Sequence, residues 1–474
     1  MANWWVLSFL AFSTIHSTAH RVNMPRIFIL LTICMIASLQ PASSQQPDMA
    51  LTNAYVHPVS SAPFLKGTVL ISQGKIAAVG THVRVPAGVR VIDLHGAVVT
   101  PGLIDARSSL FVKDEDLVGA GTADQSVLDA ANLFDADAAK VLAAGVTTLY
   151  LSPGSRGGVG GTGAIVKLRP PSSGQGEGWA NVFRREAALE LSIGISTNGR
   201  SSSLERLNSF EALRSLFRGA QQYARARVQY ERELKEFLSA PPQPVRAGTP
   251  PAAGAPAAPT RPVKPRKSPA NEIVLQALNG KIPVRIEAHR VDDILNALRL
   301  SDEFHFKLVL ESATEADGLA REIARRKVPV IWGPTLPGGT RLETRNHNPQ
   351  TAAILNESHV TLALSPSSRV GTASQFMMFN AQLAVGQGLF RGDALRTVTL
   401  DAAKALGIAD RVGSIEVGKD ADLIVFSTDP TSAEFAVKRI LIEGKEVSLP
   451  SIRISARSGP NRAATVGSRE RTGG

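Results

Sequence analysis

The sequence contains a single cysteine, Cys34, which lies inside an apolar run near the N-terminus. If that run is removed as a signal, the remaining protein has no thiol. This excludes disulfides, a cysteine nucleophile and a thiolate metal site. Histidine is also sparse. Apart from His289, the histidines are scattered along the chain and form no cluster with the spacing of metal ligands.

The apolar run itself is too short to cross a bilayer comfortably. It covers residues 27–39, whereas a transmembrane helix needs about 20 apolar residues. A short basic start at Met24-Pro25-Arg26 precedes it, and small residues follow up to Ser44, which is typical of an export signal. We therefore predict an export signal over residues 1–44, with Met24 as an alternative start, and a periplasmic or extracellular protein without a stable membrane span. A longer anchor over residues 1–39 is the alternative.

The net charge of +11 lies in segments outside the expected domains. Residues 1–44 contribute +2, residues 240–270 contribute +5 and residues 450–474 contribute +4, which accounts for all of it. The last two segments have no apolar pattern, and the first of them is rich in proline and alanine, so both are predicted to be disordered. Because the rest of the chain is neutral, a basic groove for nucleic acid is not indicated.

The two ends of the chain share a pattern of short β-rich segments separated by turns. Residues 66–102 alternate such segments with glycine and proline turns, and residues 413–449 continue the pattern. This predicts a small composite β-sandwich domain built from both chain ends, over residues 50–98 and 412–449.

Between these ends, buried strand patterns alternate with helical ones. The predicted strands are 100–106, 147–153, 283–289, 307–313, 329–334 and 361–366. The predicted helices are 291–304, 313–327 and a long polar helix at 209–239. Repeated alternation over residues 99–411 predicts an α/β fold, a closed (β/α)8 TIM-type barrel with a parallel sheet.

Three stretches resemble the amidohydrolase superfamily, in particular its imidazolonepropionase-like branch. They are "AVVTPGLIDA" ending at Ala106, "AGVTTLYLSPG" at 144–154 and the long C-terminal stretch at 392–430. The resemblance implies a barrel with a composite β-domain and hydrolysis of carbon–nitrogen bonds other than peptide bonds. It also implies one or two divalent metals held by His-x-His after strand 1, histidines after strands 5 and 6 and an aspartate after strand 8.

This chain departs from that pattern at most of the metal-ligand positions. The His-x-His positions fall on Arg107 and Ser109, the strand-6 histidine falls on Ser312, and the strand-8 region 362–370 contains no acid. His289 is the only family ligand position that keeps its histidine. Because a catalytic zinc site takes about three protein ligands, we expect a divergent member that binds no metal cofactor.

Alternation along the predicted strands places Arg107 and Ser109 on one barrel face, and Glu287 and His289 on another. These four residues and Ser312 are the candidate residues of the barrel mouth. Arg107 either grips a carboxylate or phosphate of a ligand, or pairs with an internal acid such as Asp105 or Glu287. His289 is either a ligand-contacting group or a histidine satisfied by Glu287 or a backbone carbonyl.

Two functions remain open at this point. The favoured one is a non-catalytic, exported relative that binds a small molecule or a protein partner at the barrel mouth, since a fold carries no function without its site. The alternative is a hydrolase of non-peptide carbon–nitrogen bonds, acting on a cyclic amide, an N-acyl amino acid or a dipeptide-like substrate. Only this alternative requires zinc or another divalent metal, at an altered or single-metal site.

Overall fold

A computed structural model describes the chain from residue 47 to residue 448 with several gaps. The described ranges are 47–112, 121–154, 158–171, 178–195, 203–240, 260–335, 342–366, 371–432 and 434–448. The predicted export signal and the basic tail from residue 450 lie outside them, as do residues 241–259 of the proline-rich insertion.

One sheet, called here the small sheet, takes its strands from both ends of the chain. Its strands are β1 (Met49–Val56), β2 (Phe64–Ser72), β3 (Lys75–Gly80), β4 (Arg90–Asp93), β5 (Val98–Pro101), β14 (Leu423–Phe426), β15 (Val437–Ile442) and β16 (Lys445–Glu446). Hydrogen bonds join them in the order β16-β15-β14-β5-β1-β2-β3, with β4 also paired to β1. The antiparallel pairing of β5 with β14 joins the two chain ends.

The second sheet forms a nearly closed barrel. Its strands are β6 (Leu103–Ser108), β7 (Val146–Leu151), β8 (Val159–Leu168), β9 (Ala180–Ser192), β10 (Val284–Ala288), β11 (Leu308–Ser312), β12 (Val330–Trp332) and β13 (Leu362–Leu364). They follow one another around the barrel in chain order. At the seam, the Ser365 hydroxyl, just after β13, donates to the Arg107 carbonyl at 3.0 Å. The predicted TIM-type barrel with a separate sheet is confirmed.

Helices of very different length surround the barrel. They are α1 (Ala138–Ala143), α2 (Ser203–Ser239), α3 (Pro269–Leu278), α4 (Val291–Phe304), α5 (Ala320–Arg325), α6 (Thr351–Glu357), α7 (Met377–Gly386), α8 (Arg391–Thr397) and α9 (Leu400–Ala405). The predicted helix at 291–304 matches α4, and the polar helix begins six residues earlier than predicted. Within the described ranges, no helix is both long enough and apolar enough to cross a membrane.

The expectation of a parallel sheet is wrong at β8. This strand pairs antiparallel with both β7 and β9, so it runs against its two neighbours. A parallel connection needs a dozen or more residues for its crossover, and only 152–158 separate β7 from β8. Consecutive strands β7 and β8 therefore pair antiparallel with each other.

The predicted strand at 100–106 is in fact two strands that serve different sheets. It is interrupted at Gly102, between β5 of the small sheet and β6 of the barrel. A Cβ atom at Gly102 would lie 2.1 Å from the hydroxyl oxygen of Thr147, so no side chain fits there. Glycine at this position allows the chain to pass tightly from one sheet to the other.

Candidate functional site at the barrel mouth

The candidate site lies where three barrel strands end. Side chains of alternate residues on β6, β10 and β11 face the barrel interior, because neighbouring residues of a strand point to opposite faces. The interior set, all but one of them buried, is Asp105, Arg107, Arg285, Glu287, His289 and Glu311. Ser312, the last residue of β11, joins this set because the backbone leaves the strand conformation there, with a φ angle of 61°. Two arginines and three carboxyl groups thus occupy the centre of the barrel and its mouth.

Arg107 is held by three partners on two neighbouring strands. Its Nη2 lies 3.0 Å from Oε2 of Glu287, and its Nε lies 3.2 Å from Oε2 of Glu311. Its Nη1 donates to the Ser312 hydroxyl at 2.9 Å. Burial lowers the pKa of the Arg107 guanidinium, but the carboxylates of Glu287 and Glu311 outweigh this effect and raise its pKa above the ordinary range. The mouth therefore carries a permanently charged, geometrically fixed cation.

A second arginine, Arg285, lies deeper in the barrel and is almost completely buried. It bonds to Glu311, and its Nε lies 3.1 Å from Oε1 of Glu190. Its guanidinium carbon lies 3.5 Å from the ring centroid of Tyr150, whose hydroxyl donates to Glu190 at 2.6 Å. Glu311 thus connects the two arginines into one network of buried charges.

Asp105 is not the ion-pair partner of Arg107 that the sequence allowed. Its carboxylate accepts hydrogen bonds from the hydroxyls of Ser365 at 2.8 Å and Ser374 at 2.7 Å, and from the Arg107 backbone N–H at 3.0 Å. Burial raises the pKa of Asp105 despite these three donors. Arg107 pairs with Glu287, the other acid that the sequence analysis named, and also with Glu311.

Ser109 lies just beyond the end of β6, where its carbonyl accepts the Val112 N–H at 3.0 Å. The preceding residue, Ser108, is the one whose hydroxyl pairs with Ser374, at 3.0 Å. Arg107 and Ser109 are both partly exposed, whereas Ser108 and Leu110 on either side of Ser109 are buried. Ser312, by contrast, joins Arg107 and Glu287 directly.

His289 is held on both sides of its ring. Its Nε2 lies 3.3 Å from Oε1 of Glu287, and its Nδ1 lies 2.7 Å from the hydroxyl oxygen of Thr314. An ionised carboxylate only accepts hydrogen bonds, so Nε2 carries the proton in the neutral ring. Nδ1 is then the acceptor of the Thr314 hydroxyl, a tautomer assigned from the hydrogen-bond partners. Both ring nitrogens of His289 thus have partners, and one of them is Glu287, the acid that the sequence allowed.

The residues at the expected metal positions do not fit a divalent cation. A catalytic zinc needs three nitrogen or oxygen ligands converging on one point, and Arg107 places a positive charge between the carboxylates that could supply them. In the part of the chain that the structure describes, no group of three or more His, Cys, Asp or Glu side chains is arranged to hold a metal.

Several residues of the network could not be found from the sequence. Glu190 lies on β9 and Tyr150 on β7, and a strand at β9 was not predicted. Glu311 lies on a predicted strand, but on a fully buried strand nothing in the local pattern marks one acid as central. Thr314 reaches His289 only because the chain turns sharply after β11. The one feature of the sequence that points to this network is the presence of acids and arginines in strands that are otherwise apolar.

Comparisons with known proteins agree with this architecture. Residues 363–447 match the model of the Amidohydrolase family. The fold is similar to the crystal structure of an amidohydrolase from Thermotoga maritima, with a TM-score of 0.70 and 30% sequence identity, covering 84% of this chain and 99% of that one.

Two curated proteins match over shorter stretches. The chain is 28% identical to imidazolonepropionase from Brucella suis over 151 residues, which is 31% of this chain and 36% of that protein. It is 42% identical to adenine deaminase from Shewanella halifaxensis over 62 residues, which is 13% of this chain and 11% of that protein. The match thus spans little more than a third of the imidazolonepropionase and a smaller part of the deaminase.

Proposed function

The chain belongs to the amidohydrolase superfamily, and we propose that it is an exported member that binds a small molecule or a protein partner without metal-hydroxide hydrolysis. One observation carries this proposal. The Arg107 guanidinium lies 3.0 Å from Glu287 and 3.2 Å from Glu311, at the barrel mouth where the superfamily resemblance implies a metal. Metal-dependent hydrolysis requires a cation that lowers the pKa of a bound water, and a guanidinium cannot bind water in that way.

Two further features support a binding role. The carboxylates of Glu287 and Glu311 already pair with Arg107, and Glu311 also pairs with Arg285, so an added divalent cation would first have to displace a charged side chain. The side chain of Arg107 is 18% exposed, against 1% for that of Arg285, so part of it remains open to a ligand at the mouth. Export is supported by the apolar run at 27–39 and the small residues that follow it.

The metal content of the purified protein tests this proposal. We expect well below one zinc per chain by elemental analysis, because the positive charge of Arg107 opposes binding of a second cation between the same carboxylates. Incubation with excess Zn²⁺ followed by gel filtration should leave this value unchanged. A stoichiometry of about one or more zinc per chain would contradict the proposal.

A second candidate is a hydrolase of non-peptide carbon–nitrogen bonds, and the position of His289 favours it. The ring lies between a carboxylate and a hydroxyl, which is an arrangement that can move a proton. Turnover of cyclic amides, N-acyl amino acids and dipeptides should be measured with and without Zn²⁺. This candidate expects turnover that falls about a hundredfold or more in His289→Gln, because a general base contributes at least that much. If no substrate is turned over with or without Zn²⁺, the hydrolase candidate is rejected and the binding function is retained.

A further inference from the structure

The chain turns sharply where β11 ends at the barrel mouth. Ser312 and Ala313 have φ angles of 61° and 40°, and neither residue is glycine. Such left-handed conformations are unfavourable for residues other than glycine and persist only where the surroundings enforce them. The Ala313 N–H bonds back to the Glu311 carbonyl at 2.7 Å, and the Ala316 N–H bonds to the Ala313 carbonyl at 3.0 Å. The result of this turn is that Thr314 faces His289.

The groups around this turn form a chain of three. The Thr314 hydroxyl donates to Nδ1 of His289 at 2.7 Å, and Nε2–H of His289 donates to Glu287 at 3.3 Å. All three residues are buried, with exposed fractions of 4% for Thr314, 5% for His289 and 7% for Glu287. A hydroxyl next to a base, with the base oriented by a third group, is the arrangement that activates a nucleophile.

We propose that Thr314, His289 and Glu287 form a metal-independent relay that accepts an acyl group from an activated ester or amide. This goes beyond a binding role and supplies the chemistry for the second candidate function. The Thr314 oxygen attacks the carbonyl carbon while its proton moves to Nδ1 of His289. The resulting imidazolium, stabilised by Glu287, returns that proton to the leaving alcohol or amine as its bond to carbon breaks. Water then hydrolyses the Thr314 ester by the same route and releases the acid.

The charge around the relay suits this sequence of steps. Glu287 also accepts from the Ser312 hydroxyl and pairs with Arg107, so its carboxylate is fixed while it stabilises the imidazolium. Arg107 contacts both Glu287 and Ser312, so a guanidinium lies beside the relay.

The test uses p-nitrophenyl acetate as the probe and the full-length protein in the presence of a chelator. We expect a burst of p-nitrophenolate and a mass increase of one acetyl group per chain, mapped to Thr314 by peptide mass spectrometry. Thr314→Val should remove the adduct, His289→Gln should slow its formation about a hundredfold or more, and Thr314→Ser should retain it. Thr335→Val, which changes another buried threonine, is the matched control and should acetylate as the wild type does.

Two results would overturn the relay. One is acetylation confined to lysines or unchanged in Thr314→Val. The other is the absence of a burst in both wild type and Thr314→Ser, the variant that keeps the hydroxyl if Thr314→Val fails to fold. Neither result touches the zinc stoichiometry, so failure of the relay is distinguishable from failure of the proposed metal-independent function.

Discussion

Replacing Arg285 with methionine is expected to lower the free energy of unfolding by about 3–5 kcal/mol, because it removes one of the two guanidinium groups that stabilise the buried Glu311 carboxylate. Arg285 bonds to Glu311, lies 3.1 Å from Glu190 and donates to the Ala106 carbonyl at 2.8 Å. Its side chain and those of both acids are 1% exposed, so water cannot compensate for the loss. Because methionine fills a similar volume, the loss of stability would reflect the missing charge and not a cavity in the barrel.

The measurement is chemical denaturation of wild type and variant, with Arg325→Met as the control. Arg325 pairs with Glu322 at 2.7 Å, but its side chain is 68% exposed, and pairs at the surface contribute about 0–1 kcal/mol. Arg285→Met should therefore be several times more destabilising than Arg325→Met. Similar losses for the two variants would show that the central network contributes no more than a surface ion pair.

The same network shows what sequence reasoning could and could not find. Alternation along β10 placed Glu287 and His289 on one face, and in the structure the two side chains contact each other. Local patterns were sufficient here because a strand and the helix after it are set by neighbouring residues. The helix predicted at 291–304 matches α4 for the same reason.

What could not be predicted depends on contacts between residues distant in sequence. Glu190 meets Tyr150 and Arg285 only after β8 has paired antiparallel with both β7 and β9, and the repeated strand–helix pattern of the sequence does not predict that arrangement. Ser374 reaches Asp105 across 269 positions. Glu311 links Arg107 to Arg285 only because β6, β10 and β11 meet in the folded barrel, and the local sequence does not show this.

Glu190 gives the second large expected effect, a fall in stability as the pH rises. Burial and the neighbouring Glu311 carboxylate raise the pKa of Glu190 from 4.5 to about 8, although Arg285 opposes them. Between these two pH values the folded protein keeps a proton on Glu190 that the unfolded chain has released. Because the folded state binds more protons, the contribution of Glu190 to unfolding free energy decreases as pH rises from about 4.5 to about 8 and then levels off.

Glu190→Gln removes this titration while keeping an oxygen that accepts from the Tyr150 hydroxyl. As the pH rises from 5 to 9, we expect the free energy of unfolding of the variant to increase relative to that of the wild type. The increase should be on the order of a few kcal/mol, as the pKa difference requires. Denaturation curves at several pH values measure this, and the difference between the two proteins isolates Glu190 from the other titrating groups. Glu186→Gln, an exposed position on the same strand, should show a pH dependence parallel to the wild type. A constant difference between wild type and Glu190→Gln across this range would mean that Glu190 is already ionised in the folded barrel, balanced by Arg285 alone.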